Sequence, residues 1–301
     1  MPLIIPEKLP AGDLLEKENI FVMHEARAAS QDIRPLKLLM VNLMEDKAIA
    51  ETQIARLLAN TPIQVELVLI KLGRTESCCG LNDYMNTFYK ELPDIQNEKF
   101  DGMIMSGAPI EIYDFEEVPY WDEFCELLAY AQKNVYSSFY IGWSAHAALY
   151  QNFGVASLPC NRILGVYEHT LKRTHSPLVR GFDDVFFAPH TQMARLDSTA
   201  IEKNQELRIL ASSREAGEYL IQTDGGKQIF VLGHPEYDRE TLGLEYFKHL
   251  RQGEEIDVPE NYFQDGTKDV MVKWRGHGSM LLSNWLNYYV YQETPYDLQI
   301  I

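Results

Sequence analysis

The segment Tyr140-Ile141-Gly142-Trp143-Ser144-Ala145-His146 follows an apolar run and leads into a helical pattern, the setting in which a nucleophile sits on a sharp strand-to-helix turn. Gly142 holds the turn position and has no reactive atom. GWSAH partly matches the GxSxG elbow, which would make Ser144 a hydrolytic nucleophile, but His146 stands where the last glycine belongs and a serine at a helix start reads first as a cap. A second stretch, Val231-Leu232-Gly233-His234-Pro235-Glu236-Tyr237-Asp238, places His234 just after a strand and Glu236 beyond a proline-constrained bend. An imidazole accepts a proton near neutral pH, and a carboxylate fixes its tautomer or supports its cation, so these two form a candidate acid-base pair if the bend brings them together. His146, His169, His190 and His277 read as packing or hydrogen-bonding histidines.

The elements that must carry these residues alternate. Leu36 to Leu43 is dense in apolar residues, as a central parallel strand covered on both faces would be, and Ala48 to Leu58 carries an apolar stripe at helical spacing. Val65 to Ile70 and Gly102 to Ser106 read as further strands, and a helix from Trp121 towards Gln132 precedes the strand Ser138 to Ile141. This order predicts a parallel sheet with crossover helices, and its strands' carboxyl ends are where chemistry belongs. Beyond Gly165 short strands are expected, with a hairpin joining Glu218–Ile221 to Gln228–Leu232 through Asp224-Gly225-Gly226. Met280 to Tyr291 reads as an aromatic-rich amphipathic helix. Residues 1–34, rich in Pro, Glu and Arg, are expected to wrap the surface of a single α/β domain spanning residues 35–301.

Composition narrows the partners. The 27 Lys and Arg against 44 Asp and Glu give a net charge of -17, which repels nucleic-acid phosphates and acidic membrane surfaces. Cys78, Cys79, Cys125 and Cys160 are too few and too irregularly placed for a disulfide framework, and no His/Cys spacing suits zinc. With no run of about 18 apolar residues, a cytoplasmic protein without metal or membrane partners is expected.

Longer motifs carry a resemblance across essentially the whole chain: QDIRPLK at 31–37, VNLM at 41–44, SGAP at 106–109, GVYEH at 165–169, RGFDD at 180–184, FAPH at 187–190, GHPEYD at 233–238 and NWLNYYVYQETPYDL at 284–298. In these the sequence resembles the MetA-type homoserine O-acyltransferases. The resemblance implies a class I glutamine amidotransferase-like, flavodoxin-like fold: a mostly parallel sheet with helices on both faces and a C-terminal elaboration. It also implies a homodimer, small-molecule substrates, and no tightly bound cofactor, acetyl-CoA being a co-substrate. In that family a cysteine at the strand-helix turn takes the acyl group, and a histidine with a nearby glutamate promotes its transfer to the hydroxyl of homoserine, in methionine biosynthesis. The matching positions are Gly142, His234 and Glu236.

The resemblance further places Lys47 near the acyl-CoA entrance, and Arg162, Thr191 and Lys248 at the amino-acid substrate. Arg162 and Lys248 exchange lysine and arginine relative to the family, keeping charge but altering the donor geometry. Gln192 stands where arginine is usual, and Glu45-Asp46 replaces a proline-led turn. Glu111 occupies a position associated with the donor; its carboxylate would repel a succinyl group and so favours acetyl. A chain of this kind without the thiol is expected to let His234 deprotonate the acceptor while its oxygen attacks the thioester directly, backbone N–H groups near Gly142 stabilising the oxyanion. The alternatives are a noncatalytic ligand-binding or regulatory relative, and a succinyl-CoA donor.

Overall fold

Alternating side chains along each central strand enter two different cores, which explains the unbroken apolar runs in the sequence. Leu38, Met40, Ile104, Phe139, Ile141 and Val231 face one core, while Leu39, Val41, Met103, Met105, Tyr140 and Phe230 face the other. These contacts come from a computed structural model that describes residues 3–24, 28, 34–72, 81–110, 114–264 and 267–300. Glu111, Cys78 and Cys79 lie outside the described residues.

Through the first half, strands and helices alternate: β1 (Leu3–Ile5), α1 (Pro10–Lys17), β2 (Val22–His24), β3 (Leu36–Val41), α2 (Lys47–Leu58), β4 (Val65–Ile70), α3 (Leu81–Phe88), β5 (Tyr89–Lys90), α4 (Leu92–Ile95) and β6 (Phe100–Met105). Next come α5 (Trp121–Asn134), β7 (Val135–Ile141) and α6 (Trp143–Phe153). Strands β8 (Ser157–Leu171) and β9 (Val185–Leu196) precede α7 (Ser198–Lys203), β10 (Leu207–Ser213), β11 (Gly217–Thr223) and β12 (Gln228–Val231), with α8 (Thr241–Arg251) and α9 (Arg275–Asn284) last. The sheet runs β2-β1-β4-β3-β6-β7-β12-β11-β10-β8-β9, with β5 added on β4. From β2 to β12 every pairing is parallel; from β12 to β9 every pairing is antiparallel.

Registers such as Val41↔Met105, Met105↔Tyr140 and Val231↔Ile141 bring the carboxyl ends of β3, β6, β7 and β12 side by side. Helices α1 and α2, α9 and the π-helical stretch Trp285–Tyr291 cover the first core; α5 and α6 cover the second.

Three sequence expectations change. Segment 1–34 does more than wrap the surface, because Leu3, Ile4 and Ile5 are buried and β1 and β2 extend the sheet. The strands around Gly165 are long, 15 residues in β8 and 12 in β9. Gly165 lies within β8, where Glu260 pairs beside it. The aromatic tail is an α-helix that widens into a π-helix at Trp285. The hairpin forms as its Asp-Gly-Gly turn predicts, pairing Leu220 with Val231 and Gln222 with Ile229. Among the described residues, no cluster of three or more His, Cys, Asp or Glu could hold a metal, and no helix is long and apolar enough to cross a membrane.

Candidate active site

Strand β7 stops at Ile141 and helix α6 starts at Trp143, so one residue must reverse the chain. Gly142 does this at φ 58° and ψ -124°, a conformation that costs an L side chain strain. Its N–H bonds Val231 O at 2.8 Å, and its own carbonyl accepts Ala145 N–H at 3.0 Å, tying the turn to β12 and to the first turn of α6. Ser144 does not reach the cavity. Its buried hydroxyl accepts Ile141 N–H at 3.1 Å and lies 3.1 Å from Met105 O, so it laces β6 to β7, and the hydrolase reading loses its nucleophile.

His234 and Glu236 meet as their spacing suggests. Glu236 Oε1 accepts from His234 Nδ1 at 2.8 Å, and both side chains are buried. The bend is clamped from several sides. His234 N–H bonds Pro189 O at 2.9 Å, and a Cβ at Gly233 would fall 2.7 Å from that same carbonyl oxygen, so only glycine lets the loop close on β9. Trp274 Nε1 donates to Tyr237 O at 2.7 Å, and the Tyr237 ring stacks on the imidazole with centroids 4.2 Å apart. Behind this loop His169 and His190 stack 14° from parallel with their Nε2 atoms 3.0 Å apart; burial pushes His169 down to about 4 and His190 well below the usual imidazole range. His277 lies elsewhere, against Phe182, Phe186 and Asp183.

The imidazole points at the turn. A Cβ built on Gly142 would lie 2.7 Å from His234 Cε1 and 3.0 Å from Nε2. Both residues open onto a cavity of about 350 Å³ that is also lined by Arg162, Thr191, Gln192, Glu245 and Lys248. A larger groove of about 1020 Å³ passes Glu18, Arg56 and Asp238, but Arg56 is held by Glu18 at 2.6 Å and Asp238 at 2.5 Å, so those charges answer one another.

Comparison with known proteins bears on this arrangement. A family model described as homoserine O-succinyltransferase matches residues 2–296. The chain belongs to this homoserine O-acyltransferase family. It is 48% identical to a homoserine O-acetyltransferase of Petrotoga mobilis, over 100% of this chain and 98% of that one. It is equally, 48%, identical to a homoserine O-succinyltransferase of a Shewanella species (strain ANA-3), over 99% and 96%. Among solved structures, a glutamine amidotransferase from Thermotoga maritima covers 86% of the chain at a TM-score of 0.52 and 12% identity. One from Methylobacillus flagellatus covers 85% at 0.52 and 12%; both likenesses concern the fold, a class I glutamine amidotransferase-like α/β sheet.

For a homoserine O-acyltransferase family member the remaining positions divide. Arg162 and Thr191 line the cavity. Lys248 lines it too, but its exposed ammonium is 2.6 Å from Glu45 Oε2, so these two side chains answer each other. Gln192 spans two walls, donating to Ala216 O at 3.1 Å with Oε1 3.3 Å from His190 Nδ1. Lys47 is absent from the lining: its ammonium donates to Asn42 O at 2.8 Å, and desolvation lowers it to about 8 against the pull of Glu51. Glu51 is itself buried, accepts from the Tyr84 and Tyr89 hydroxyls, and is raised by burial.

Sequence reading missed Glu245. Burial holds this carboxyl above the usual carboxylate range, opposed by His234, His249, Arg162 and the Thr191 hydroxyl, and its Oε2 is enclosed without a hydrogen bond among the described residues. The available signal was its place on a helix just after the histidine loop, one of many acidic residues on an acidic chain.

Proposed function

We propose that this protein transfers an acyl group from acyl-CoA to the side-chain hydroxyl of L-homoserine or a similar amino acid, with acetyl as the donor group. The observation that carries the reading is the His234 and Glu236 pair, 2.8 Å apart, aimed at the Gly142 turn inside a cavity that also holds Arg162, Thr191 and Glu245. An amino-acid acceptor needs complementary charges for its two ionised groups. Arg162 meets the carboxylate through a planar fork, Glu245 meets the ammonium, and Thr191 hydrogen-bonds the side chain or backbone. Glu236 fixes the imidazole so that Nε2 faces the hydroxyl and takes up its proton as the new ester forms. The amino end of α6 directs its helix dipole at the charge that develops on the thioester oxygen.

A succinyl donor is the second reading, favoured by the matching family model and by the Shewanella relatives, all named homoserine O-succinyltransferases. The acetyl preference rests on the family resemblance alone, which assigns Glu111 to the donor, where its carboxylate would repel a second one. Purified protein with acetyl-CoA or succinyl-CoA and a panel of hydroxyl amino acids, read by mass spectrometry for acylated product and free CoA, tests both. Product from neither donor with any acceptor would overturn an acyltransferase role, and calorimetric binding without turnover would identify a ligand-binding relative. The family resemblance also implies a homodimer, which light scattering checks.

A further inference from the structure

The vacant elbow is not empty space. A side chain starting from Gly142 would meet Cε1 and Nε2 of His234 within 2.7 and 3.0 Å, so the ring already occupies the volume into which this turn aims a reactive group. A base serving a thiol would stand one side chain further back. The ring is also oriented for attack. Nδ1 is engaged by Glu236 at 2.8 Å, which leaves the lone pair of the neutral ring on Nε2, and among the described residues no hydrogen bond occupies that atom. Tyr237 stacks on the ring 16° from parallel, and the backbone of Gly107 packs beside it, so little rotation is left.

We infer that His234 Nε2 is itself the nucleophile, carrying the acyl group as an N-acylimidazolium between donor and acceptor. The inference rests on the acyl-transfer reading and specifies its route. In the first half-reaction the Nε2 lone pair adds to the thioester carbonyl, the C–S bond breaks, and CoA leaves as thiolate; the acylimidazolium charge is balanced by the Glu236 carboxylate on Nδ1–H. In the second, the acceptor oxygen attacks the acyl carbon and the C–N bond breaks. Nε2 leaves with its electron pair and takes the hydroxyl proton, which is then released as the thiolate gains one. Acyl group, protons and charge all balance over the cycle, with no other reactant.

Acceptor-free exchange tests this. Intact protein is incubated with acetyl-CoA and isotopically labelled CoA, with succinyl-CoA in a parallel arm, and label entering the acyl-CoA is followed; intact-mass and peptide analysis locate any bound acyl group. The expected result is exchange at least tenfold above that of His234→Asn, and one acyl group on the peptide holding residue 234. If His234→Asn fails to fold by circular dichroism, the position of the acyl group on the unmodified protein decides. Exchange that persists in a folded His234→Asn, or an acyl group mapped elsewhere, would overturn the inference. Acceptor-dependent product without exchange would overturn it while sparing the acyl-transfer reading, and absence of both exchange and product would overturn the two together.

Discussion

Adding one methyl group at the elbow should damage the protein in a way that can be calculated. Gly142→Ala keeps the position uncharged and apolar but places a Cβ at φ 58°, ψ -124°, where an L residue costs about 1–3 kcal/mol. The methyl also meets the imidazole at 2.7 Å, so the ring must retreat and strain a charge-assisted bond to Glu236 whose loss costs about 1.5–3 kcal/mol. With partial relief of each, the net destabilisation is about 2–5 kcal/mol. A chain of this length unfolds with an entropy of about 0.6 kcal/mol per kelvin, so Tm should fall by about 3–8 °C. Calorimetry on the two proteins measures this, and urea midpoints check it independently of temperature. Gly142→Cys carries the same backbone and Cβ cost and should lose comparable stability, while adding a thiol that can accept an acyl group. A Gly142→Ala protein within about 1 °C of the parent would refute the claim that ring and turn compete for one space.

Other perturbations address the dyad, the cavity and the buried histidines. Glu236→Gln should lower kcat by about a hundredfold or more, because an amide no longer enforces the Nδ1–H tautomer, yet change stability by less than about 1 kcal/mol, since a desolvated carboxylate with an unpartnered Oε2 is removed. Steady-state kinetics beside a urea titration separates the two effects. Arg162→Gln should raise the acceptor KM about tenfold or more and leave the acyl-CoA KM nearly unchanged, by loss of one charge-assisted contact. Burial lowers His146 to about 3 and His169 to about 4, so the unfolded chain binds protons that the folded one refuses. Their contribution is therefore complete above about pH 6.5 and is lost as pH falls towards those values, at up to about 1.4 kcal/mol per pH unit for each histidine. Urea unfolding at a series of pH values should show that slope, lessened in His146→Asn; a flat profile down to pH 4.5 would contradict it.

The parallel core was legible because burial on both faces leaves uninterrupted apolar runs, and the DGG hairpin because its turn demands those residues. The histidine loop was legible for a similar reason: glycine, histidine, proline and glutamate each have a separate steric or electrostatic duty in it. What sequence could not supply was direction. Lys47 carries a charge suited to a donor site, yet its ammonium turns to a carbonyl at the end of β3. Glu245 looks like a solvated helix residue until α8 folds over the cavity. Strand β1 is three residues long and bounded by prolines, too short for any period to show.

Trp285 sits fully buried in the first core, its indole N–H donating to Ser137 on β7 at 2.9 Å and its ring against Phe139. The strand that ends in the elbow is thus propped by a residue 148 positions further along the chain. The central strand takes part of its wall from the helical stretch that carries Trp285, and Trp274 fastens the histidine loop. Without that helix β7 would lose its wall, and without Trp274 the histidine loop would lose one of its fastenings, so alignment at the site depends on contacts far away in sequence.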